Sequence, residues 1–142
     1  MTRILFTSGM SEEVRFAIEP HIRKWAFLVP AWCEEVNVTW QDDDTDGALN
    51  VEVFYEYRRA DLNVLPNFLT GERCRERNVV HELLHIITAP LANTCQAMRE
   101  AVKKHAPDIE DWATEIIRQS DEAVTCDLTN LVMNSLAPEQ SA

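Results

Sequence analysis

The chain alternates between two hydrophobic periods. Near the N-terminus Arg3 to Thr7 has the length and apolar content of a short strand. From Ser11 the spacing becomes helical, with Val14, Ile18, Ile22, Trp25 and Val29 on one face. Ser11 suits the N-cap, and Glu12 and Glu13 suit the positive end of the helix dipole. Pro20 leaves two alternatives, a helix kinked there or a second helix with Pro20 in its first turn; Pro30 closes the segment. Period two then returns. Glu35 to Trp40 alternates polar and apolar, and so does Leu49 to Tyr57. Between them Asp42-Asp43-Asp44-Thr45-Asp46-Gly47 reads as a hairpin-like acidic turn, without the glutamate that closes an EF-hand calcium loop. The remainder is helical, in segments of about 72–89, 91–105 and 108–136, punctuated by Pro90, Pro107 and Pro138. The order predicts one α+β domain over residues 1–142, with a small N-terminal sheet and a helical second half.

The second half carries His81-Glu82-Leu83-Leu84-His85, an H-E-x-x-H motif. On a helix, residues four apart stack on one face, so the two imidazoles can grip one metal ion. Glu82 stands beside them as a base for a water that zinc acidifies toward a pKa of ~7. Val80, Leu83, Leu84 and Ile87 give the same helix an apolar side directed at a core.

Composition narrows the partners. Of 142 residues, 13 are basic and 24 acidic, a net charge of −11. That disfavours nucleic acid and anionic membranes and is compatible with peptide or protein substrates. No apolar run is long enough to span a bilayer, and no signal-peptide pattern precedes the domain. Cys33, Cys74, Cys95 and Cys126 are scattered without a C-x-x-C, which fits free thiols in a reducing compartment, with the cytoplasm expected.

A catalytic zinc needs three protein ligands and an open position. A third histidine at the metzincin spacing is absent, because Thr88 and Leu91 occupy the glycine and histidine positions. His105 sits beside Lys103 and Lys104 at a helix end, where it reads as an exposed cap. Asp121-Glu122-Ala123-Val124-Thr125 resembles the second motif of the gluzincins, the thermolysin-like zinc peptidases. With the H-E-x-x-H, the resemblance spans mainly Leu49 to Leu136. It implies a zincin-like fold, a zinc peptidase activity, His81, His85 and Glu122 as zinc ligands, and Glu82 as the catalytic base. Asp121 is the reserve ligand.

The chain departs from that pattern once. Gluzincins place an aspartate after the hydroxyl residue to orient the first histidine; here Cys126 stands there and Asp127 follows. One residue rotates a side chain by about 100° on a helix. Asp127 after a local distortion, a backbone carbonyl or a water is left as the partner of His81. Ile109, Ala113, Ile116, Ile117, Val124 and Leu131 form the main apolar stripe of the last helix, with Glu122 nearly opposite. Zincins pair an extended substrate with an edge strand, a role for which Asn50 to Arg58 is the candidate. Tyr55, Tyr57, Arg58 and His105 are the candidate oxyanion donors, none favoured over the rest. The rival readings are a zincin fold that keeps zinc for stability alone and a metal-free helical interaction protein.

Overall fold

A computed structural model describes residues 1–43, 46–71 and 74–135. Its elements are β1 (Arg3–Phe6), α1 (Glu12–Trp25), β2 (Glu35–Trp40), β3 (Leu49–Phe54), β4 (Arg59–Val64), α2 (Asn67–Thr70), α3 (Arg75–His105) and α4 (Glu110–Ser135). The class is α+β, as the patterning predicts.

The sheet has the order β1-β2-β4-β3, with β1, β2 and β4 parallel and β3 antiparallel to β4. This corrects the hairpin expected between the second and third strands. β4, unread in the sequence, inserts between them, and β3 ends at Phe54 rather than Tyr57. β3 is thereby an edge strand. Asp44 and Thr45 of the acidic turn lie outside the described residues, and Asp42, Asp43 and Asp46 are exposed.

Period-two patterning gives the sheet two unlike faces. Val36 and Val38 of β2 and Ala60, Leu62 and Val64 of β4 are buried against α1 and α3. On the other face side chains bond across the strands, Asn37 to Asp61 at 3.2 Å, Thr39 to Asn63 at 2.6 Å and Asn63 to Asn50 at 2.8 Å. α1 contributes Val14, Ile18, Ile22 and Trp25 to the core, and Ser11 accepts a hydrogen bond from the Val14 N–H as its cap. α1 runs through Pro20 as one helix, which excludes a second helix starting there.

α3 settles the position of everything that follows. Glu72 and Arg73, where the helix was expected to begin, lie outside the described residues; the helix itself starts at Arg75. It does not stop at Pro90 but continues to His105. Proline removes one helical N–H and leaves the Ile86 carbonyl without its donor. Upstream, Val79, Val80, Leu83, Leu84, Ile86 and Ala89 are anchored in the core, and α4 packs alongside downstream, so tertiary packing overrides the local breaker. Ile86, not Ile87, completes the buried face; Ile87 is exposed.

α4 reverses the expected orientation of its stripe. Ile109, Ile116, Val124 and Leu131 are exposed, while Thr125, Thr129 and Val132 are buried. Periodicity reports which positions are apolar, not which face finds a partner. Between Pro90 and Val124 no residue is fully buried, so the distal parts of α3 and α4 form a two-helix arm beyond the core.

Candidate metal centre

His81 and His85 lie one turn apart on the core-anchored half of α3, facing α4. Their rings pack edge to face with centroids 4.8 Å apart, and their Nε2 atoms approach to 3.2 Å. Glu122, on α4, closes the third corner. Its Oε1 is 3.2 Å from His85 Nε2 and its Oε2 is 3.5 Å from His81 Nε2. The structure thus brings together the three residues singled out in the sequence, and this group could hold a metal ion.

His105 is not among them. Twenty positions beyond His85 on the same helix, at 1.5 Å per residue, it is roughly 30 Å away. Asp121 is nearby but turned elsewhere. Its Oδ2 lies 3.5 Å from His85 Nδ1, and its Oδ1 accepts a hydrogen bond from Thr88 Oγ1 at 3.2 Å.

The far sides of the imidazoles meet a feature absent from the sequence reading. Thr129 Oγ1 is 3.4 Å from His81 Nδ1, and Thr125 Oγ1 is 3.4 Å from His85 Nδ1. Both threonines are 0% exposed. α4 carries no distortion that would bring Asp127 inward, and Cys126 and Asp127 are exposed. The only sequence signal was the i, i+4 spacing of Thr125 and Thr129, which mirrors that of His81 and His85 on an antiparallel helix.

Electrostatics fit a cation. Burial, then the neighbouring His85, hold the His81 imidazole below its ordinary pKa, which outweighs the pull of Glu122. Glu82 is pushed up to about 8, first by burial and then by the charge of Glu122, against a hydrogen bond from the Val51 backbone. A cation held by His81, His85 and Glu122 would offset that charge and return Glu82 toward the carboxylate.

A cavity of about 440 Å³ opens over these groups, lined by Asn50, Val51 and Val53 of β3 and by Glu82, His85, Asn93 and Glu122 of the helices. The expected oxyanion donors are elsewhere. Arg58 donates to the Trp32 carbonyl at 3.1 Å, and Tyr55 packs on the Trp32 ring. Tyr57 is exposed and lines a separate depression with Glu56 and Glu100. Among the described residues no helix is long and apolar enough to cross a membrane. No protein family matches this chain, nor does any curated protein or solved structure.

Proposed function

We propose that the chain is a compact, zincin-like, zinc-dependent metallopeptidase of a reducing compartment such as the cytoplasm. His81, His85 and Glu122 are its zinc ligands and Glu82 its general base. One observation carries the reading. Ligand atoms about 2.0–2.1 Å from a tetrahedral zinc are separated by about 3.3–3.4 Å along each edge. The two Nε2 atoms are 3.2 Å apart, one Glu122 oxygen is 3.2 Å from His85 Nε2 and the other 3.5 Å from His81 Nε2. One donor atom from each residue can be chosen with all three within 4.8 Å of one another, close enough to converge on one ion. Two nitrogens and a carboxylate are also the donor set of a catalytic zinc with an open position.

Zinc bound there supplies Lewis acidity toward a carbonyl and lowers the pKa of water to about 7. The chain's residues do the rest. Glu82 is next to a ligand without being one and lines the cavity, so it takes the water's proton and passes it to the leaving amine. The free edge of β3 offers backbone groups to an extended peptide beside the histidines. Asn93 places a neutral amide on the cavity wall.

The second reading, a fold that keeps zinc without cleaving, draws on one observation: Tyr55, Tyr57, Arg58 and His105 all lie outside this cavity. Metal analysis of protein purified without an affinity tag, followed by turnover of a peptide library, separates the readings. One zinc per chain with turnover is expected. Glu82→Gln should keep zinc and lose ~10²–10⁴-fold in rate. No zinc uptake sinks both readings; zinc without turnover leaves the second.

A further inference from the structure

The two threonines behind the histidines have committed their protons. Thr129 Oγ1 donates to the Thr125 carbonyl at 2.7 Å, and Thr125 Oγ1 donates to the Asp121 carbonyl at 2.8 Å. A hydroxyl has one proton and two lone pairs, so each can only accept from the imidazole it faces. A ring that donates to that acceptor carries its proton on Nδ1, which leaves the Nε2 lone pair free for a cation. Both Nε2 atoms face Glu122, at 3.5 and 3.2 Å, so a cation between them settles the choice in favour of Nδ1.

We propose that Thr129 for His81, and Thr125 together with Asp121 for His85, are positioning residues that hold the Nδ1 proton of each ring. In each ring the proton is held on Nδ1 and the lone pair on Nε2 is turned toward the metal position. The backbone helix of α4 therefore orients the hydroxyls, and the hydroxyls orient the rings of α3. The device is asymmetric. His85 Nδ1 has a second acceptor in Asp121 Oδ2 at 3.5 Å. For His81 Nδ1 the acceptor among the described residues is Thr129 alone. A neutral hydroxyl thus stands where a carboxylate would otherwise be needed. The inference rests on the metal reading, because a cation held between the Nε2 atoms and Glu122 is what removes that carboxylate as a rival acceptor.

The test is nitrogen NMR of the imidazoles in zinc-loaded protein, paired with a competitive titration by zinc alone. In the parent both rings should carry a hydrogen-bonded proton on Nδ1. Thr129→Val should remove the hydrogen-bond shift of the His81 Nδ1–H and weaken zinc by ~10–100-fold, the usual scale for losing an outer-shell partner. Thr129→Ser should restore both readouts, and Thr125→Val should leave the His85 Nδ1–H bonded, because Asp121 remains. Thr129→Ala serves where the valine variant does not fold. A His81 signal and zinc affinity unchanged in Thr129→Val, or a serine variant as impaired as the valine one, overturn the proposal alone. No zinc uptake by the parent sinks the zinc reading and this proposal with it.

Discussion

The Thr88 hydroxyl lies 3.2 Å from the Asp121 carboxylate, one residue short of Glu122, the proposed ligand. Thr88 Oγ1 is also 3.1 Å from the His85 carbonyl, so its single proton is shared between an acceptor on the helix of the histidines and one on the helix of the glutamate. Asp121 in turn faces the Nδ1 side of His85 while Glu122 faces the Nε2 side. Two adjacent carboxylates therefore have separate tasks on one imidazole.

Those tasks differ in size. Glu122→Ala removes one of three protein ligands and should weaken zinc far more than Asp121→Ala. The latter removes an orienting contact, worth ~10–100-fold at most. By helical rotation alone Asp121 points about 100° away from Glu122 and would scarcely matter; its approach to His85 Nδ1 gives it the orienting part instead. A competitive zinc titration of both variants ranks them; a larger loss in Asp121→Ala would exchange the assignments.

Glu76 joins the ends of two helices. It accepts a hydrogen bond from the Trp25 indole at 2.8 Å and pairs with Lys24 at 2.5 Å. The Lys24 ammonium first, then the indole, hold its carboxyl below the ordinary 4.5. A depressed folded pKa means stability that is present above the ordinary value and lost as pH falls through the folded one. Glu76→Gln should cost about 1.5–3 kcal/mol near neutral pH, since bonds to charged groups are involved. It should also flatten the acid limb below pH ~4.5. Urea midpoints at several pH values measure both; an acid limb equal to the parent's would remove Glu76 from the account.

Pro90 is a liability that α3 tolerates. Proline in a helix interior is about 3 kcal/mol worse than alanine, and losing proline's restraint on the unfolded chain returns about 0.4–1. Pro90→Ala should therefore stabilise by ~2–2.6 kcal/mol at unchanged zinc affinity. The denaturant midpoint at constant slope reports it. A destabilised variant would show that the half-buried ring packs better than the restored hydrogen bond.

What the sequence shows, and what it hides, follows from where the information lies. His81, Glu82 and His85 share one turn of one helix, so their arrangement is a local property and could be read directly. Glu122 needed a resemblance, because nothing local says that α4 turns its polar face inward. Thr129 depends on the register between α3 and α4, which no single segment encodes. β4 escaped for another reason. Ala60, Leu62 and Val64 do alternate with Asp61 and Asn63, yet the strand follows the left-handed Arg58 almost without a break from β3. Its polar residues face outward, bonded to Asn37, Thr39 and Asn50.

The arm formed by the distal halves of α3 and α4 has no fully buried residue, and its two strands of chain meet the domain at His85 and Glu122. An ion shared by those residues is a cross-link that closes the loop of residues 86–121. By the chain-entropy model, closing a loop of this order restricts the open chain by about 3–5 kcal/mol, the scale of a disulfide. Zinc removal should then loosen the arm before it melts the sheet. Amide exchange should quicken between Pro90 and Val124 while the buried strands β2 and β4 keep their protection. In a chain of scattered thiols, such an ion would take the part that a covalent staple plays elsewhere.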